Sequence, residues 1–340
     1  MFNQSTPAIC IDVDGVLKRG IHPIKGAIES IRQLRKYKIP IAILTNGGGE
    51  TEQQRARKLS KILNLSPKEK FLPEEVILCH SPMKEALKQY SKGLMLISGT
   101  GKINEVMLNY GFKNYITTQE YSTMFPEMFP FFMDLNRDPL KIEKMKKIVG
   151  KRIKRDLTTF PKINAIVQIT DMTRWEINIQ LFSDLLISKD GIPGTILNSN
   201  QPQQVDYHLA CLDLLYMDKF PIPRFACGSF FYCLQNLFKM KYGRNIDFTD
   251  YGKPSKIIYQ FAKRQILKNI GKKKLTNIYM IGDNPEVDIK GANDSGFYSL
   301  LVRTGVFKGI NSREYPAKKV VNNIKEATDY ILNKEGIKLL

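Results

Sequence analysis

The 340-residue sequence holds three histidines, His22, His80 and His208, and a single tryptophan, Trp175. The histidines lie far apart and follow no metal-ligand spacing, which excludes a histidine-based zinc centre legible from sequence. The five cysteines, Cys10, Cys79, Cys211, Cys227 and Cys233, contain no CxxC pair, and their odd number argues against a disulfide framework. Most stand inside apolar runs, as reduced buried thiols do. No apolar run approaches the ~20 residues a helix needs to cross a bilayer. The longest candidates resemble Ile39 to Leu44, which Pro40 breaks. The first ten residues carry no Lys or Arg and run straight into a strand-like segment, with no room for a secretory or basic transit peptide. The expectation is a cytoplasmic protein without a membrane span, with the mitochondrion as the alternative compartment.

Acidic residues are also in short supply. Asp and Glu number 33 against 52 Lys and Arg, for a net charge of +19. Such an excess raises nucleic acid or an anionic surface as a partner. However, the bases are 38 Lys and 14 Arg, whereas bidentate recognition of phosphates and bases favours Arg, so nucleic acid is disfavoured. The densest cluster, Lys141 to Arg155, has eight basic residues and one acid, Glu143, and reads first as the solvated face of a helix.

What is present is an ordinary globular composition, 43% hydrophobic and 25% charged, at about twice the usual ~150-residue domain length. The N-terminal part alternates strand and helix. Ala8 to Ile11 reads as a buried strand, Ile24 to Tyr37 as a helix, Ile39 to Leu44 as a strand, Glu52 to Leu63 as a helix and Val76 to Leu78 as a strand. The last third resumes the rhythm with a helix at Ser255 to Lys268, strands at Asn277 to Ile281 and Leu300 to Arg303, and a helix around Ala292. This pattern predicts an α/β fold, a Rossmann-like doubly wound parallel sheet. Between these parts lie the basic run, two aromatic and Pro-rich stretches (Met124 to Phe132 and Phe220 to Phe231), and strands at Leu94 to Ile97 and Ala165 to Ile169. The expected organisation is a core of residues 1–83 and 246–340, with residues 84–245 inserted as a second α/β unit.

Four patches carry chemistry. Asp12-Val13-Asp14-Gly15 follows the first strand, and in an open parallel sheet the carboxyl ends of strands face the ligand. Period-two alternation would turn Asp12 and Asp14 to the same side. Two such carboxylates repel by a few kcal/mol at ~4 Å, so one must be protonated or a cation must lie between them. The second strand ends in Leu44-Thr45-Asn46-Gly47-Gly48-Gly49, a hydroxyl, an amide and unhindered N–H groups ahead of a helix that suit an anion. Tyr251-Gly252-Lys253-Pro254-Ser255 places an ammonium just before a helix that Pro254 opens. Finally, Ile281-Gly282-Asp283-Asn284, with Asp288, puts carboxylates at another strand end, the oxygen chemistry that Mg²⁺ prefers. Asn284 reads equally as a ligand or as a turn former.

In this order the four patches resemble the signature of the haloacid dehalogenase superfamily over nearly the whole chain. An insertion between the Thr and Lys patches resembles the subclass with a large α/β cap, such as NagD-like nucleotidases and pyridoxal phosphatase. Several stretches are similar to the cat eye syndrome critical region protein 5 group: Cys79-His80-Ser81-Pro82-Met83-Lys84, Ser98-Gly99-Thr100-Gly101, Arg174-Trp175-Glu176, Pro223-Arg224-Phe225 and Ile281-Gly282-Asp283-Asn284-Pro285. The resemblance implies that Asp12 is the nucleophile and Asp14 the general acid and base. It also implies that Thr45 and Lys253 hold the phosphoryl group with Asn46 beside them, and that Asp12, Asp14 and Asp283 hold Mg²⁺ with support from Asp288. One departure is Cys211-Leu212-Asp213, where capped relatives often carry Asn-x-Asp; Asp213 is the candidate cap contact there.

The expected activity is Mg²⁺-dependent hydrolysis of a small phosphorylated metabolite through an aspartyl-phosphate. A lid of about 160 residues closing over the site favours small substrates. Two alternatives are a catalytically idle protein used for binding or assembly, and a basic protein associating with nucleic acid or anionic surfaces. Arg174 and Trp175 read either as substrate contacts or as packing in the inserted unit. The run Met124 to Phe132 reads as core or as the surface of a homodimer formed through that unit. Ser98 to Lys102 lacks the spacing of a nucleotide-binding loop and reads as a turn leaving a strand.

Overall fold

The computed structural model describes residues 5–132, 135, 137–198, 200–216, 220, 222–271 and 274–337. Pro221, within the aromatic stretch 220–231, lies outside them. In chain order the strands of the two large sheets are β1 (Ser5–Ile11), β2 (Ile41–Thr45), β3 (Val76–Leu78), β4 (Met95–Ser98), β5 (Tyr115–Thr117), β6 (Ala165–Gln168), β7 (Asp206–Leu209), β8 (Thr249–Asp250), β9 (Lys274–Gly282), β10 (Tyr298–Val302) and β11 (Lys319–Val321). The chain divides into two compact units. The first comprises Met1–Pro82, Leu215–Phe225 and Tyr251–Leu340, the second Met83–Leu214 and Ala226–Asp250.

The first unit is built on a six-stranded sheet of order β11-β10-β9-β1-β2-β3, parallel throughout. Strands covered on both faces need apolar residues at every position, and Ala8, Ile9, Cys10 and Ile11 of the central strand are fully buried. Their side chains alternate between two cores. Ile9 and Ile11 pack with Ile31, Leu59 and Ile331, which belong to the helices Ala27–Lys36, Glu52–Ile62 and Ile324–Lys334. Ala8 and Cys10 pack with Tyr259, Ala262 and Ile266 of the helix Lys256–Ile270. Helices therefore cover both faces, as the doubly wound pattern predicts.

The helix expected from Ile24 starts three residues later, at Ala27. Pro23 is held in a short ribbon against Lys18, and Gly26 turns into the helix at φ +89°. The helix Glu52–Ile62 opens on a capping box, with Thr51 Oγ1 accepting from Gln54 N and Gln54 Oε1 accepting from Thr51 N.

The second unit carries its own parallel sheet, of order β8-β7-β6-β4-β5. Ser98-Gly99 does end β4 in a turn, with Gly99 at φ +144°. Much of the aromatic run Met124 to Phe132 is core, for Met124, Phe125 and Phe129 are buried, whereas Phe131 is exposed. The basic run lies on the helix Pro139–Ile153 and the two residues after it; the helix buries Val149 and Ile153 and turns most of its lysines to solvent. Four of the five cysteines are buried and all are free thiols. Among the described residues, no helix is long and apolar enough to cross a membrane.

Candidate active site

The site grows out of the middle of the first sheet. Asp12 directly follows β1, and its N–H donates to Ile281 O at 3.0 Å, so the ladder between β1 and β9 extends to Asp12 itself. Asp283 follows β9. Two adjacent parallel strands thus deliver two buried carboxylates to the carboxyl edge of the sheet. Asp288 joins them from the turn Pro285–Ile289, and one carboxylate oxygen from each of the three lies within 4.8 Å of the others. Lys253, only 2% exposed, donates from Nζ to Asp12 Oδ1 and to Asp288 Oδ1, each at 2.6 Å.

Three formal negative charges against one positive leave two uncompensated in a dry place. Burial is the main force raising the Asp12 carboxyl to about 7; Lys253 opposes it, and Asp288 and then Asp14 add to the rise. Asp283 is raised well above the usual carboxylate range, first by burial and then by Asp12 and Asp288, against the Val306 N–H. Burial disfavours the Lys253 ammonium, but Asp12 and Asp288 outweigh it and hold its pKa well above the ordinary value. An all-oxygen donor set with an excess of buried negative charge fits a hard divalent cation such as Mg²⁺.

The three acids are not equivalent. Asp288 Oδ1 accepts from Lys253, and Oδ2 accepts the N–H groups of Asp283 and Asn284, both at 3.1 Å. Its two oxygens are engaged by the chain, so Asp288 fixes the ammonium and the turn that bears Asp283. Asp283 Oδ2 accepts from Val306 N at 2.6 Å. Asn284 serves its own turn, with Oδ1 accepting from Glu286 N at 3.0 Å.

Thr45 is buried at the end of β2, where Oγ1 accepts from Gly47 N at 3.1 Å. Asn46 clamps the backbone of Lys253: its Nδ2 donates to Lys253 O at 2.9 Å and its Oδ1 accepts from Lys253 N at 2.8 Å. Asp14 is placed differently from the other acids. Its side chain is 51% exposed and ion-paired with Lys18, and it does not belong to the group Asp12, Asp283 and Asp288. Of the candidates in the second unit, Arg174 precedes the helix Trp175–Leu186 in a left-handed conformation and pairs with Glu176 at 2.5 Å. Trp175 donates from Nε1 to Met172 O at 2.8 Å and meets Phe230 edge-on. Asp213 O accepts from Gly228 N at 2.9 Å.

Sequence reasoning missed the loop after β10. A Cβ on Gly305 would stand 1.8 Å from Asp283 Oδ2, and one on Gly15, at φ +87°, 2.5 Å from the same atom. Thr304 Oγ1 donates to Gly15 O at 2.6 Å and ties the two turns together. A glycine just beyond a strand end, in Arg303-Thr304-Gly305, was the signal available. Arg55 was also missed; it is buried beside the glycine loop and pairs with Glu50.

Comparison with known proteins bears on this arrangement. The family model for haloacid dehalogenase-like hydrolases matches residues 9–113, and a second model of the same kind, HAD-hydrolase-like, matches residues 250–327. A mitochondrial hydrolase of Saccharomyces cerevisiae is 30% identical over 352 residues, covering 96% of both chains. The chain belongs to the haloacid dehalogenase-like hydrolase family. This hydrolase is also 34% identical over 326 residues to a fusion of CMP-forming cardiolipin synthase and mitochondrial hydrolase from Schizosaccharomyces pombe. That match covers 95% of the present chain and 52% of the fusion protein. Among solved structures, NagD of Escherichia coli shares the fold with a TM-score of 0.58 at 16% identity, over 95% of this chain and 98% of NagD. A 4-nitrophenylphosphatase from Thermotoga maritima does so with 0.60 at 17%, over 95% and 97%. A glycerol phosphate phosphatase from Mycobacterium tuberculosis, solved with calcium and with magnesium, gives 0.59 at 17%, over 94% and 73%, for the calcium complex. The hydrolase has the two-sheet parallel α/β architecture of this group.

Proposed function

We propose that this hydrolase is a Mg²⁺-dependent phosphomonoesterase that works through an aspartyl-phosphate on Asp12. The observation that carries the proposal is the convergence of buried Asp12, Asp283 and Lys253 at the carboxyl edge of one sheet. In this reading Asp12 and Asp283 hold the cation, which neutralises carboxylates that would otherwise repel a phosphate dianion and polarises the phosphoryl oxygens. Asp12 attacks phosphorus in line with the leaving oxygen. Lys253, held protonated and aimed by Asp288 and Asn46, steadies an equatorial phosphoryl oxygen, and Thr45 takes another. Asp14 gives a proton to the leaving oxygen and later takes one from the hydrolytic water. Its pairing with Lys18 must yield for this, and its exposure leaves the side chain room to turn. The same proposal gives Asp14 a place among the cation's ligands and makes Arg174, Trp175 and Asp213 the candidate substrate contacts of the second unit.

The related structures include phosphatases of aryl and glycerol phosphates, and the fission-yeast relative is fused to an enzyme of phospholipid synthesis. Phosphate esters of glycerol therefore lead the substrate panel. The two relatives named above carry mitochondrial names, and mitochondria are the compartment we propose. The deciding assay is aryl-phosphate hydrolysis with Mg²⁺, with EDTA and with Asp12→Asn. Turnover should appear only in the first. Equal rates in all three would remove the phosphatase reading.

A further inference from the structure

We propose that the second unit docks on an anionic phospholipid bilayer through the solvent face of the helix Pro139–Ile153. The helix turns Val149 and Ile153 inward. The opposite face, at the 4-3-4 spacing that lines residues up along a helix, presents Leu140, Lys144, Lys147 and Lys151. All four are exposed, Leu140 to 81%. Ile148, 55% exposed, and Lys141 flank this row on one side. On the other side is Glu143, the single acid of the cluster, 3.9 Å from Lys147. Phe131, in the segment ahead of the helix, is 89% exposed.

Solvated lysines alone need no partner. Large aliphatic side chains standing among them, with no cover from the unit, fit a surface that is anionic at the headgroups and apolar just beneath. A nucleic acid backbone meets the charge but offers no such sink for Leu140 and Ile148, and its readers lean on Arg, which supplies only 14 of the 52 basic residues. The C-terminal end of the same helix opens on a cavity of about 350 Å³ lined by Lys113, Asn114, Arg152 and Lys154 among others. Arg152 is fixed there over the ring of Tyr115 and by Glu120 at 2.8 Å. A recess with two exposed lysines beside a fixed guanidinium suits a phosphate, and a phospholipid headgroup supplies one.

The test is sedimentation of the full chain with phosphatidylcholine vesicles, with and without phosphatidylglycerol. Binding should require the anionic lipid and weaken as salt rises. Each surface lysine contributes roughly a fivefold gain in partitioning, so Lys144→Ala/Lys147→Ala/Lys151→Ala should bind about 10²-fold less tightly. Leu140→Ser/Ile148→Ser should lose about tenfold through the apolar share alone. Aryl-phosphate hydrolysis and thermal melting should be unchanged in both variants, which separates loss of docking from loss of fold. No binding to anionic vesicles at low salt would overturn the proposal, as would indifference to the serine pair. Tighter binding to an oligonucleotide than to the vesicles would reassign the face to nucleic acid. Abolition of vesicle binding by inorganic phosphate at constant ionic strength would reassign it to a small free anion.

Discussion

Asp12→Asn should abolish turnover and at the same time make the metal-free protein more stable at neutral and alkaline pH. The carboxyl titrates at about 7 in the folded chain, against an ordinary value of 3.8. A raised pKa means that the folded state resists ionisation, so this carboxyl's own contribution to stability is greatest below the ordinary value and declines as pH climbs from about 4 to about 7. Roughly three pH units at about 1.4 kcal/mol each set the full penalty near 4 kcal/mol above pH 7, and about 2–4 kcal/mol is the expectation after relaxation of the site. Asn preserves the shape and an oxygen for Lys253 Nζ to bond, but it carries no charge to desolvate. The measurement is chemical denaturation of both proteins in EDTA between pH 4 and pH 8. The stability difference should be near zero at pH 4, grow steadily, and level off above pH 7. Added Mg²⁺ should then stabilise the wild type more than the variant, because only the wild type offers the cation a charged oxygen at this position. A difference independent of pH, or an Asn variant less stable at pH 8, would show that Asp12 is not strained by burial among like charges.

Other outcomes follow from the same geometry. Asp14→Asn should slow aryl-phosphate turnover by roughly 10² or more, the usual contribution of a general acid, while melting barely moves, since the side chain is half exposed. Gly305→Ala forces a methyl against the Asp283 carboxylate. It should cost about 1–3 kcal/mol of stability and weaken Mg²⁺ binding measured by calorimetry, whereas loss of stability without loss of affinity would mean that Asp283 does not hold the cation. His208, which bonds to Tyr90 at 3.1 Å, is pushed down to about 4 by burial, against the pull of Asp206. The unfolded chain therefore takes up a proton between pH 6.5 and pH 4 that the folded chain refuses. The His208 contribution to stability should fall by up to about 3 kcal/mol as pH drops through that window, and the difference between wild type and His208→Gln should show it.

The parallel sheet was legible because strands covered on both faces read as short unbroken apolar runs: Ala8 to Ile11 and Val76 to Leu78 lie within β1 and coincide with β3. The site was legible wherever a charged residue stands just beyond such a run, as Asp12 and Asp283 do. Alternation is a weaker guide beyond the strand. Asp12 still belongs to the ladder through its N–H, but Asp14 is paired only by an isolated bridge to Lys18 and Gly15 adopts a positive φ. Asp14 therefore stands outside the regular ladder, yet its charge still acts on Asp12. The clamp of Asn46 on Lys253 and the amide of Val306 on Asp283 were hidden for another reason. Each joins segments distant in sequence through a single side chain or backbone group, and no periodicity records such a meeting.

The pairing of β1 with β9 has a consequence for biosynthesis. The central strand of the sheet leaves the ribosome first, yet one of its two neighbours is encoded some 270 residues later. Until that neighbour emerges, an apolar ribbon with an unmatched row of amides is exposed in the nascent chain, a template for wrong partners. Premature termination anywhere before β9 should thus yield a sticky, chaperone-bound fragment instead of a smaller working enzyme.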